Sequence, residues 1–265
     1  MKKILYSISI LLGFMACETK QKPTTEVVEE KTIAVNQLTE EEASSGWTLL
    51  FDGQSKAGWH VYNNQSDGVA WEIHDGTLHL NPKDIKVTPV PGAGDLTQAV
   101  GGGDLASDEE FENFHLKLEW KVGEPSNSGV MFYVNEVPEH DYPWQTGPEV
   151  QIMNQRECDE EINCVGDLYS LVAGPRDLEI SDDWNTLDII ANQGSLEVKM
   201  NDRSLYTTTM WDDNWKAIIA STKFTAWPDF GTFTKGKIVL QDHGHAVWYR
   251  NIKIRSVVKT QRRSD

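Results

Sequence analysis

The segment His115–Val122, HLKLEWKV, alternates without a break: Leu116, Leu118, Trp120 and Val122 fall on one side, His115, Lys117, Glu119 and Lys121 on the other. A strand turns successive side chains to opposite faces, so this pattern specifies a sheet with one apolar and one polar face. The same period returns in Gly129–Asn135, where Val130, Phe132 and Val134 share a side. In Glu149–Met153, Val150 and Ile152 lie opposite Glu149 and Gln151. Thr186–Asn192 and Ser195–Met200 read as strands around a Gly194 turn, and SLEVKMNDRSLYT as a hairpin turning at Asn201-Asp202. Lys237–Gln241 and Val247–Val257 close the chain. No long stretch keeps a helical period, although Leu38–Ala43 fits a short helical turn. Short alternating runs between turn residues predict an all-β sandwich.

The chain before Gly46 is of another kind. Lys2 and Lys3 precede a mostly apolar run, Ile4–Met15, which is too short to span a bilayer and ends at Ala16-Cys17. Residues 1–16 read as a lipoprotein signal peptide, with cleavage before Cys17 and lipid on its thiol. Phe14 and Met15 are bulkier than the usual residues there, and an ordinary secretory peptide is the alternative. Residues 17–45 are polar and poor in aromatics, a flexible tether to a domain at 46–258, with a polar tail at 259–265. This places the protein in the cell envelope, touching the membrane through its anchor alone. Cys158 and Cys164 bracket CDEEINC; outside the cytoplasm a disulfide fits them. Asp159, Glu160 and Glu161 leave a metal-binding loop as the alternative.

Charge narrows the partners. The formal net charge is −17, and losing the two signal-peptide lysines leaves −19. Such a surface repels phosphate backbones, which argues against nucleic acid. Ten Trp, seven Tyr and eight Phe supply core material and faces on which sugars stack. No G-x-S-x-G elbow and no phosphate-binding Gly-rich loop occurs. Three long loops, Lys83–Gly103, Glu136–Pro148 and Phe224–Gly236, are rich in Gly and Pro, two of them also in aromatics. Long loops in a compact domain are often functional, and these three mark the rim of a groove.

A set of motifs in fixed order carries a resemblance. GWTLLFDGQSKAGWH (Gly46–His60) is followed by WEIHDGTLHL (Trp71–Leu80), GGGDLASDEEFENFHLKLEWKV (Gly101–Val122) and NSGVMFYV (Asn127–Val134). Then come TGPEVQIMN (Thr146–Asn154), DLYSL (Asp167–Leu171), WNTLDIIANQGSLEVKMND (Trp184–Asp202) and GKIVLQDHGHAVWYRNIKIR (Gly236–Arg255). Together they resemble the 3-keto-disaccharide hydrolase family. The resemblance implies a concanavalin A-like jelly roll of two antiparallel sheets, one concave. It also implies action on oligosaccharides or glycosides already oxidised to a ketone at C3. The CDEEINC segment departs from the family pattern.

The strand faces nominate a site. If His115–Val122, Gly129–Asn135 and Glu149–Met153 are neighbours, Lys117, Glu119, Met131, Tyr133, Glu149 and Gln151 form a polar and aromatic floor. The alternative is a plain solvent-facing sheet. Glu149, entering its strand behind Gly147-Pro148, is the first candidate for a catalytic carboxylate, and Glu119 the second. QDHGH supplies Asp242 and His243 for proton transfer, with His245 beside them. Glu149, Asp242, His243 and His245 are also the candidate ligands for a divalent ion, the one cofactor the sequence leaves open. Tyr142, Trp144, Tyr169 and Trp227 are candidates to stack on sugar rings. Asp104, Asn127 and Lys223 are candidates to bond hydroxyls or the ketone. The expected chemistry is removal of the acidified C2 proton, elimination at C1 and addition of water. An ordinary retaining glycosidase and a non-catalytic sugar-binding lipoprotein are the alternatives; the former's expected E-x-D-x-x-E strand motif is absent.

Overall fold

The computed structural model describes residues 34–64, 66, 68–80, 86–91, 93–94, 96–158 and 162–257. The expected signal peptide, Cys17, most of the expected tether, the polar tail, and Asp159, Glu160 and Glu161 lie outside the described residues, as do five positions of the Lys83–Gly103 loop.

In chain order the elements are α1 (Glu40–Ser44), β1 (Thr48–Leu49), β2 (Trp59–Val61), β3 (Trp71–His74), β4 (Thr77–Leu80), β5 (Val87–Pro89) and β6 (Thr97–Ala99). They continue with β7 (Leu105–Ser107), β8 (Phe114–Val122), β9 (Ser128–Val134), β10 (Glu149–Ile152), β11 (Asn185–Asn192), β12 (Ser195–Met200) and β13 (Arg203–Thr209). The last are α2 (Asp213–Ala220), β14 (Lys237–Leu240) and β15 (Val247–Ser256). One antiparallel sheet runs β13-β12-β11-β8-β15-β4-β3, with β1 paired to β15. The second runs β10-β9-β14-β7-β2, and β5-β6 is a separate ribbon. The two sheets face each other across one core, the jelly-roll sandwich the resemblance implies.

The alternation decides what that core contains. Leu116, Leu118 and Trp120 of β8, Leu187 and Ile189 of β11, and Leu196 and Val198 of β12 are fully buried from the first sheet. Val130 and Phe132 of β9, Val150 and Ile152 of β10, and Ile238 and Leu240 of β14 meet them from the second. Removing this apolar area from water is the main stabilising term. In β15 the inward set is Val247 and Tyr249, then Ile252 and Ile254. The parity changes because the register shifts between Arg250 and Lys253, where Asn251 takes φ 51°.

Three expectations are corrected by strand pairing and packing. β8 lies between β11 and β15 and not beside β9, so Lys117 and Glu119 sit on the outer face of the first sheet. There Glu119 accepts bonds from Arg250 Nε (2.6 Å) and Asn251 Nδ2 (2.7 Å), a half-buried ion pair remote from the second sheet. Tyr133 and Val134 exchange their expected faces. The β9–β14 register shifts there, and Tyr133 at φ 55° turns into the core against Phe114 and Phe132. Its hydroxyl donates to Glu112 O, so Tyr133 is a core residue and not a sugar contact. Residues 36–45 are not free tether either. Asn36 N donates to Asn251 Oδ1 (2.6 Å) and Asn251 N to Asn36 Oδ1 (2.8 Å), and Thr39 caps α1 by accepting from Glu42 N.

Candidate active site

On the face of the second sheet turned away from the core, β10 presents Glu149 and Gln151, and Gln241 follows at the end of β14. They line a cavity of about 310 Å³ together with Asn127 and His243. β10 pairs with β9 in a register that sets Gln151 opposite Gly129. Glycine leaves this space to the Glu149 carboxyl, which a Cβ would displace. Gln241 N continues the ladder by donating to Gly129 O at 2.9 Å. Its side-chain Nε2 donates to Glu149 Oε2 at 3.3 Å, while Gln151 Nε2 donates to Asn127 Oδ1 at 2.9 Å.

The walls come from the long loops. Pro143 starts a single 3-10 turn, Pro143–Gln145, that holds Trp144 over the cavity. Tyr142 stacks on Trp144 (5.3 Å, 3°), and its hydroxyl donates to Pro91 O, tying this loop to the β5–β6 loop. That neighbouring loop supplies Ala93, Gly94 and Leu96. Asp212 caps α2 by accepting from Trp215 N (2.7 Å), and the following turn, Lys223–Ala226, brings in Lys223, Phe224 and Trp227. Trp227 stands edge-on to Trp144 (4.8 Å, 88°). Lys223 Nζ lies 4.6 Å from the Tyr169 ring centre and donates to its hydroxyl at 3.3 Å.

Burial sets the electrostatics. Glu149 is raised to a pKa of about 8, first by desolvation and then by the nearby charge of Asp104, against the opposing pull of Lys223 and the Gln241 bond. At neutral pH its carboxyl therefore carries a proton and can give it away. Asp104 is likewise raised to about 8 by burial. Asp242 is raised by burial, while its bonds to backbone N–H groups pull the other way. His245 is lowered by burial.

Of the residues nominated from sequence, Glu149, Gln151, Asn127, His243, Trp144, Tyr169, Lys223 and Trp227 line this one cavity. The rest do not. Asp242 is fully buried and accepts from Ala99 N (3.0 Å), Gly103 N (2.8 Å) and Gly244 N (2.8 Å), so it fastens loops instead of meeting a ligand. Asp104 accepts from Asp242 N (2.9 Å) and Gln98 Nε2 (3.3 Å) in the same anchor. Tyr142 acts through Trp144. His245 stacks on His243 (5.5 Å, 11°) outside the wall. Among the described residues no three His, Cys, Asp or Glu side chains, Glu149, Asp242, His243 and His245 included, gather as metal ligands. Cys158 and Cys164 are joined by a disulfide. Gln241 and Phe224 are site residues the sequence reading missed. Alternation carries a signal for Gln241: it shares parity with Val239, opposite Ile238 and Leu240.

Comparison with known proteins shows the family and the fold. Residues 46–255 match the model of the 3-keto-alpha-glucoside-1,2-lyase-like domain. The chain is 27% identical over 296 aligned positions to the 3-keto-disaccharide hydrolase of Bacteroides thetaiotaomicron, covering 96% of this chain and 99% of that relative. A crystal structure from Parabacteroides distasonis, described as a glycosyl hydrolase, superposes with a TM-score of 0.73 at 28% identity, over 85% of this chain and all of the other. A second glycosyl hydrolase structure from that organism, at 22% identity and TM-score 0.52, covers 80% of this chain and 99% of its own and shares the fold.

Proposed function

This chain belongs to the 3-keto-alpha-glucoside-1,2-lyase-like family, and from that premise we propose that it cleaves 3-keto-glycosides, disaccharides among them, by elimination and rehydration. The observation that carries the reading is a buried carboxyl, Glu149, whose pKa desolvation raises, in one cavity with the imidazole of His243 and the ammonium of Lys223. A C3 ketone makes the C2 proton acidic. His243 takes that proton, as an imidazole does at neutral pH. Lys223 and the cavity amides stabilise the enolate oxygen. The C1–O bond breaks, C1=C2 forms, and Glu149 gives its proton to the departing oxygen. Water then adds its oxygen to C1 and a proton to C2, so the sum is hydrolysis. Trp144 and Trp227 supply apolar faces for sugar C–H groups.

Among the described residues the cavity wall holds a single carboxylate-type side chain, Glu149. A retaining glycosidase needs two about 5 Å apart, so the described wall favours the elimination route. The test is incubation with a 3-keto-glucoside beside the same sugar unoxidised, following C2–H exchange with deuterated water. Cleavage and exchange of the oxidised sugar alone are expected; equal cleavage of both rules the route out. We further place the mature protein in the cell envelope, lipidated at Cys17; mass spectrometry of its N-terminus checks this, an unlipidated terminus being the contrary result.

A further inference from the structure

We propose that the catalytic cavity is one half of a two-part site, and that the other half is a leaving-group pocket walled by the Cys158–Cys164 bridge. The inference rests on the glycosidic reading above and adds where the second sugar sits. A second cavity of about 220 Å³ adjoins the first, and Asn127, Gln151 and Tyr169 stand in both walls. The two together fall within the roughly 300–1,000 Å³ usual for small-molecule sites.

The direction is set by β10. Glu149 and Gln151 are two positions apart on one strand face, a step of about 6.7 Å. With Glu149 at the glycosidic oxygen, the leaving sugar runs past Gln151 toward Met153, Glu157 and Asn163. The Glu157 and Asn163 side chains are held before any ligand arrives. Glu157 Oε2 accepts from Ser126 N (2.9 Å) and Ser126 Oγ (2.8 Å). Asn163 Oδ1 accepts from Ser170 N (2.7 Å). Amides for hydroxyls and a thioether for a C–H face suit a neutral sugar, and the Glu157 carboxylate disfavours an anionic one.

The bridge fixes this wall to the core. Cys158 ends the turn Gln155–Glu157 and is tied to Cys164, which is fully buried. Cys164 N donates to Asp167 Oδ2 (2.9 Å), and Asp167 is paired to Arg176 (2.8 Å). The bridge is a covalent tie on this wall, so losing it loosens the Cys158 side of the pocket while the Glu149 cavity, which Cys158 does not line, keeps its own walls.

The test is calorimetric binding to the Glu149→Gln protein, with turnover blocked. The ligands are a 3-keto-disaccharide and methyl 3-keto-glucoside. The disaccharide is expected to bind at least tenfold tighter. That advantage disappears in a Cys158→Ser/Cys164→Ser variant and in Met153→Trp, which fills the pocket with the bridge intact, while the methyl glycoside keeps its affinity within twofold. Equal affinity for both ligands, or an advantage that survives in Met153→Trp, overturns the proposal. If the unsubstituted chain cleaves neither ligand, the catalytic reading fails alone; a pocket-dependent preference for the disaccharide then still supports the subsite, and its absence removes both.

Discussion

The amide of Gln241 donates to the carboxyl of Glu149 at 3.3 Å, joining the end of β14 to the head of β10 across β9. Gln241 Oε1 is buried with no hydrogen-bond partner among the described residues. A buried acceptor without a donor is costly, and a substrate hydroxyl would satisfy it. In the proposed route the pair thus holds the acid and offers a substrate contact at one point.

Replacing Glu149 by Gln keeps the shape and removes the proton to be given. We expect turnover of a 3-keto-glycoside to fall by about 10²–10⁴-fold, the usual span of general acid catalysis, with ligand affinity within a few fold. Steady-state kinetics and calorimetry on one preparation check this; unchanged turnover would remove Glu149 from the mechanism.

The alkaline limb of the rate profile follows from the same group. In the proposed route Glu149 acts while protonated, so kcat/KM is expected to decline as pH rises through about 8. Lys223 favours the ionised form, so Lys223→Met moves that limb to higher pH while lowering the maximum rate. A limb that stays in place in the variant assigns it to another group.

Stability has its own pH dependence. Asp104 and Glu149 have folded values near 8, above their ordinary 3.8 and 4.5. The folded state therefore holds protons that the unfolded state releases. The stabilisation is full below about 4 and is lost as pH rises through 8. The melting temperature is expected to fall from pH 5 to pH 8.5, and Asp104→Asn to flatten that fall, which calorimetric scans across pH measure directly.

Asp242 is an anchor. Asp242→Ala leaves the N–H groups of Ala99, Gly103 and Gly244 without their acceptor. Each unpaired buried donor costs about 1–3 kcal/mol, and each kcal/mol is worth about 2–4 °C in a domain this size. We expect Tm to drop by more than about 5 °C. A variant that melts normally yet is inactive would instead make Asp242 a direct participant.

Glu119 gives the contrasting case. Its Arg250 pair lies on the far sheet, so Glu119→Gln is expected to leave kcat/KM within about twofold and to change stability by less than about 1 kcal/mol. Trp227→Ala, by contrast, is expected to raise KM roughly two- to tenfold through lost stacking. Matching losses from both substitutions would contradict the placement of the site on one sheet.

Much of this was written in short stretches of chain. The parity of Glu149 and Gln151 against Val150 and Ile152 needed no more than strand geometry, and the aromatic loops announced Trp144 and Trp227. The helix α2 escaped notice because eight residues hold barely two turns, and its stability comes from the Asp212 cap and the burial of Trp215.

Alternation is a local property, fixed by the backbone's own sterics, so the sequence alone determined which side chains share a strand face. It could not say which strands are neighbours. β8 joins β11 and β15 through contacts between distant parts of the chain, and that choice carried Glu119 to the sheet away from the candidate site. A one-residue bulge reversed Tyr133, and distant backbone N–H groups captured Asp242. Pairing partners, register shifts and hydrogen-bond satisfaction depend on the packing of the whole chain, and only the tertiary structure decided them.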